Sequence, residues 1–179
     1  MNVVEPIKDK NDIKRIKKVL KSNERNLLLF NLGINSGLRI SDILALDIKD
    51  VKNRDFIEIR EKKTNKYKRF LLNEKLQKEI NKYVKTKRID ELLFLTKRGK
   101  RLDRIQAYKI LNNAGKEAGV KTKIGTHTLR KTFGYHHFKK FKNLPLLQKI
   151  LNHSSSEITL IYIGITQENI DETYKNFYL

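Results

Sequence analysis

The spacing of apolar residues divides the chain into a series of short amphipathic segments. Ile13, Ile16, Val19 and Leu20 recur at helical intervals within residues 12 to 21, with lysines opposite, which predicts a helix with a solvated basic face. A second helix is expected over 24 to 35, carrying Leu27, Leu28, Asn31, Leu32 and Ile34 and stopped by Ser36-Gly37. "LRISDILAL" after it reads as another short helix. The period then changes. "DFIEIR" and "YKRFLL" alternate or are rich in strand formers, and "EKKTNK" joins them, so a β-hairpin with a lysine-rich tip is expected. "LLFL" at 92 to 95 is a candidate third strand. Helical spacing returns at 74 to 86 through Leu76, Ile80, Tyr83 and Val84. It recurs at 104 to 118, entered through Asp103 and Gln106 and ended by Gly119. Further helices are expected from Thr126 to about 140 and from Pro145, a favoured first-turn residue.

Near the C-terminus, Ile158, Ile161, Tyr162 and Ile165 fall at i, i+3, i+4 and i+7, the stripe of a core-facing helix. Ser154 and Glu157 have capping-box spacing, which would start that helix just after His153. A last helix is expected over 167 to 177 behind Thr166, with Ile170, Tyr174, Phe177 and Tyr178 near one side. That is more apolar surface than a free terminus should show to water. The fold class expected is mainly α with one small antiparallel sheet, an α+β protein, and no shift in composition divides residues 1 to 179 into more than one domain.

Composition narrows the partner. Forty Lys and Arg against twenty Asp and Glu leave a net charge of +20, more than solubility needs and suited to a partner rich in phosphate. Nucleic acid comes first and an anionic membrane second. An AT-rich genome would enrich Lys, Asn and Ile together, yet would not explain the shortage of acids. With no cysteine there is neither a disulfide framework nor a thiolate metal site. Apolar runs such as "LLLF" are too short to span a bilayer and the N-terminus lacks a signal-peptide core, so a cytoplasmic protein is expected.

Four polar islands stand out against this background: Arg39 in "SGLRISDIL", the lysines of "EKKTNKYKRF", His127 and Arg130 in "HTLRKTFGYHHF", and His153 with Tyr162. Each has an ordinary reading. Arg39 can pair with Asp42 one helical turn away, the lysines can form a solvated loop, and Tyr162 can be a core tyrosine. Together they match the needs of phosphodiester chemistry. A phosphate attacked by a side-chain oxygen develops charge on its non-bridging oxygens, and two arginines can clamp it with bidentate, pH-independent donors. Arg39 also lies beside a helix start, where free amides favour an anion. Tyr162 would be the nucleophile, His127 the base that takes its proton, and a lysine at the hairpin tip the acid for the departing 5′ oxygen.

With these motifs in order, the chain resembles the catalytic domain of the tyrosine recombinase family, the phage-integrase-like enzymes, over essentially its whole length. "GLRISDIL" looks like the family's first arginine motif and "KKTNKYKRFLL" like its hairpin lysine motif. "HTLRKTF" matches its His-x-x-Arg box, and "LNHSSSEITLIYIGI" the segment with a His and, nine residues on, the nucleophilic Tyr. The resemblance implies a DNA breaking-rejoining fold and an active site of Arg39, Lys63, His127, Arg130, His153 and Tyr162, with Lys62 and Lys66 as alternatives to Lys63. Where the family commonly has Gly before the last motif's His, this chain has Asn152. The resemblance further implies site-specific recombination of double-stranded DNA through a 3′-phosphotyrosine link, without metal or nucleotide cofactor. It also implies a homo-oligomer, a tetramer on paired sites, in which the tail at 166 to 179 docks on a neighbouring copy; the plainer alternative is that the tail folds back on its own domain. The chain begins where the catalytic domain should, so the family's usual N-terminal DNA-encircling domain is expected to be absent. The competing readings are a non-catalytic regulatory DNA-binding protein of the same fold, a type IB topoisomerase-like enzyme, and a basic RNA-binding module, the last lacking any RNP-like strand or GXXG loop.

Overall fold

In the computed structural model, which describes residues 4–61, 65–165 and 167–178, side-chain caps set most of the helix starts. Asp9 accepts from Asn11 N at 2.8 Å to begin α1 (Lys10–Leu20), and Asn23 accepts from Asn26 N at 3.1 Å to begin α2 (Glu24–Ser36). Gly37, in the left-handed region at φ 63°, ends α2. A short α3 (Ile40–Ala45) and one 3-10 turn (Ile48–Asp50) lead to the hairpin of β1 (Phe56–Arg60) and β2 (Tyr67–Leu71). These strands pair antiparallel with Phe56 opposite Leu71 and Arg60 opposite Tyr67. Asn73 caps α4 (Glu74–Val84), and Asp103 and Gln106 form a reciprocal capping box at α5 (Arg104–Glu117). Helices α6 (Thr126–Phe141), α7 (Leu144–Leu151), α8 (Ser156–Ile163) and α9 (Gln167–Lys175) follow.

The amphipathic stripes become three packed clusters. One gathers α2, α3, the hairpin and α4 around Leu32, Ile43, Ile57, Ile80 and Phe94. Another joins α1, α5 and α6 around Ile16, Phe30, Leu111 and Leu129. The smallest, Leu147, Leu151 and Ile163 with Phe133, Phe138, Tyr162 and Ile165 against it, fastens α7 and α8 to α6. Gly134 permits that close approach, since a Cβ there would lie 2.9 Å from Ile163 Cγ2. Tyr162 is thus carried by a helix whose position depends on α6, the helix that also bears Arg130.

Three local expectations are corrected. The segment at 92 to 95 does not extend the hairpin. It makes isolated bridges, Asp47 to Leu92 and Leu95 to Arg101, because Leu93 N is taken by Leu46 O at 3.2 Å, and the described sheet has two strands. The N-cap of α8 is Ser155, which accepts from Ile158 N at 3.2 Å, and not Ser154. Three consecutive serines offer equivalent caps, and with Ser155 chosen the N3 residue is Ile158, so no capping box with Glu157 forms. Finally, Ile158 and Ile161 are 45% and 65% exposed while Thr159 and Ile163 are buried. Helix α8 is apolar nearly all round, so periodicity alone could not select its inward face.

Candidate active site

The C-terminal end of α7 is where the distant islands meet. The last carbonyls of a helix have no amide within it, and the partial negative charge there attracts cations. Lys68 Nζ donates to Ile150 O at 2.7 Å, and Arg130 Nη2 donates to Leu151 O. Arg130 Nη1 donates to Gly37 O at 2.6 Å, so this guanidinium, 3% exposed, ties α6 to the end of α2 and the end of α7 at once. Burial pushes its pKa down, while the neighbouring Tyr162 and Glu61 pull it back up; a guanidinium stays charged at any physiological pH.

Arg39 is the N-cap residue of α3, and its Nη1 lies 2.7 Å from Glu61 Oε2. Arg39 thus forms an ion pair with Glu61, an acid from the hairpin and not its neighbour on the helix. Glu61 is 1% exposed, since it closes the base of the hairpin with its amide on Lys66 O and its carbonyl on Asn65 N. Asp42 is buried too. Lys68 sits close enough to both arginines and both acids to feel each of them, and burial followed by the arginines lowers its pKa to about 8. Among the described residues the cations Arg39, Arg130 and Lys68 outnumber the carboxylates Asp42 and Glu61, so this cluster is net positive, as a phosphodiester site requires.

His153 follows Asn152, the left-handed residue that ends α7, and its ring meets the Tyr162 ring edge-on with centroids 4.8 Å apart. Its Nδ1 lies 3.1 Å from Thr159 Oγ1, and that hydroxyl donates its single proton to Ser155 O at 3.1 Å. With that proton on Ser155 O, Thr159 accepts from Nδ1–H, the tautomer in which Nε2 is the acceptor of the neutral ring. Burial, then Arg130, Arg39 and Lys68, lowers the His153 pKa to about 4. Burial raises the Tyr162 phenol, and Arg130 opposes it both by charge and by a hydrogen bond. Lys131, a buried neighbour on α6, places its amine 5.2 Å from the Tyr162 ring centroid.

The structure therefore brings Arg39, Arg130, His153 and Tyr162 together. His127 stands in the first turn of α6, one turn before Arg130, and is exposed. Lys63 and Lys62 lie outside the described residues, whereas Lys66 reaches Asn152 Oδ1 at 3.4 Å. Glu61, Lys68 and Lys131 escaped sequence reasoning. For Lys68 a signal was present: the alternation in "YKRFL" puts it on the same strand face as Phe70, which packs against the core. Among the described residues no three His, Asp or Glu side chains form a metal-ligating group, and no helix is long and apolar enough to cross a membrane.

A neutral, half-buried His153 has a measurable consequence. Between about pH 4 and pH 6.5 the unfolded chain holds a proton on this ring that the folded chain does not, so stability rises with pH across that window and falls on acidification. His153→Gln is expected to flatten this part of the curve, read as melting temperature at pH 4.5 and pH 7 in both proteins; equal slopes would refute the assignment.

Comparison with known proteins identifies the family and the fold. The phage integrase family model matches residues 8–169. The chain is 46% identical to the probable integrase/recombinase YoeC of Bacillus subtilis, covering 99% of this chain and 98% of that protein. It is 30% identical to the tyrosine recombinase XerC of Thermodesulfovibrio yellowstonii over 84% of this chain but 54% of that one. In fold it superposes on the XerA recombinase crystal structure with a TM-score of 0.79 at 24% identity, covering 96% of this chain and 65% of that one.

Proposed function

Since the chain belongs to the phage integrase family and is a site-specific tyrosine recombinase, we propose that Tyr162 is its nucleophile and that Arg39, Arg130 and His153 hold the phosphodiester it attacks. The observation that carries this reading is the convergence of these four side chains on one net-positive cluster. Tyr162 Oη bonds to phosphorus, the bond to the 5′ oxygen breaks, and the 3′ phosphate stays linked to the enzyme. The bond energy is retained in that ester, so attack by a 5′ hydroxyl reseals DNA without ATP. The phenol proton passes to a histidine, for which His127 is the base implied by the family motif. His153 is a second base, favoured by its acceptor nitrogen beside the Tyr162 ring. The bound phosphate would raise the His153 pKa towards the working range.

The partner is double-stranded DNA, in keeping with a net charge of +20, and the place of work is the cytoplasm. The active assembly is a tetramer on paired sites. Its support is the tail: Tyr174, Phe177 and Tyr178 are exposed, the last at 98%, and a neighbouring copy would cover them. The test of function is a nicked suicide duplex, its sequence selected from a random pool by binding to the protein. A covalent adduct that comigrates with protein and DNA is expected, and the absence of any adduct would sink the reading.

The acid for the 5′ oxygen is Lys63, with Lys68 the alternative favoured by its buried place between the arginines and its pKa of about 8. A 5′-bridging sulfur leaves without a proton. It is expected to restore cleavage to Lys63→Ala and not to Lys68→Ala, read as adduct formation over time. Rescue of Lys68→Ala alone would move the role to β2.

A further inference from the structure

Asn152 occupies φ 51° and ψ 48°, a left-handed position that glycine would fill at least as easily. Its side chain nevertheless makes two contacts that no glycine could. Nδ2 donates to Glu61 Oε2 at 3.2 Å, and Oδ1 accepts from Lys66 Nζ at 3.4 Å. The Glu61 oxygen it reaches is the one that lies 2.7 Å from Arg39 Nη1. A single carboxylate oxygen thus links the turn before His153 to Arg39 across 91 and 22 residues of sequence, at the base of the hairpin that carries Lys63.

We infer that Asn152 and Glu61 are positioning residues for Arg39, a relay that sets where its guanidinium sits relative to the His153 turn. The Asn152 amide holds Glu61 Oε2 by a hydrogen bond, and that charged oxygen in turn holds Arg39 Nη1 by an ion pair at 2.7 Å. Neither residue needs to touch DNA. The effect is on orientation, where a displacement of about 1 Å is enough to slow chemistry severely. The inference rests on the reading of Arg39 as a phosphate clamp.

Five variants test it, each assayed for single-turnover cleavage of the selected nicked duplex at saturating protein, duplex affinity and melting temperature. Asn152→Gly keeps the left-handed turn and deletes the amide. It is expected to cleave roughly 10-fold slower with affinity and melting temperature close to wild type. Glu61→Gln is expected to lose a comparable factor, and the double variant should be no slower than the slower single one, because the two act in series. Asn152→Asp, which sets a second carboxylate against Glu61, should be slower than Asn152→Gly. Wild-type cleavage by Asn152→Gly, an additive double variant, or faster cleavage by Glu61→Gln would each overturn the relay. Arg39→Lys separates the two levels of argument. If it cleaves normally, the clamp itself fails; if it is slow while Asn152→Gly is normal, the relay alone fails.

Discussion

Tyr162→Phe is expected to form no covalent adduct while binding the selected duplex about as tightly as wild type. The substitution removes one oxygen and keeps the ring, so the edge-on contact with His153, the Lys131 amine over the ring and the packing beside Leu147, Leu151 and Ile163 all persist. What disappears is the attacking atom and its hydrogen bond with Arg130. The phenol is a demanding nucleophile here, because burial holds its proton more firmly than in water and Arg130 only partly offsets that. Adduct bands on a denaturing gel and duplex affinity by fluorescence anisotropy measure the two halves of the result. Normal adduct formation by the phenylalanine variant would remove Tyr162 from the chemistry.

The next largest effect is expected from the arginines. Arg39→Lys and Arg130→Lys should each lose about 100-fold or more in cleavage rate, the cost of removing one preorganised donor set from a charge-developing phosphate. Lysine keeps the charge but not the planar fork. The two variants should differ in stability. Arg130 joins Gly37 O and Leu151 O through two nitrogens, which one ammonium cannot span, so a buried carbonyl is left short of its donor at a cost of about 1–3 kcal/mol. In a domain of this size that lowers the melting temperature by roughly 2–4 °C for each kcal/mol. Arg39, partly exposed and paired with Glu61, should tolerate lysine with little change in melting temperature. Wild-type cleavage by both variants would reduce the arginines to structural ion-pair residues.

The apolar spacing along the chain determined the order of helices and the place of the hairpin, because each face is written in residues three, four or two apart. Caps were legible for the same reason: Asp103 with Gln106 and the stop at Gly37 act within one turn of chain. The ordered polar islands were legible as well, and Arg39, Arg130, His153 and Tyr162 do meet. Tertiary structure decided what local spacing leaves degenerate. Three adjacent serines are equal caps, and only the packing of α8 chose Ser155; that helix is apolar nearly all round, so only contact with α6 and α7 chose its inward face. Partners far apart in sequence were invisible for a related reason. Arg39 could be read against Asp42 because they are neighbours on one helix, yet its charge is met by Glu61, which folding delivers from the hairpin base, and that acid is held by an asparagine 91 residues further on. The half-buried lysine of β2 follows the same rule: alternation puts it on the inner face, but only the C-terminal carbonyls of α7 make that face a place for a cation.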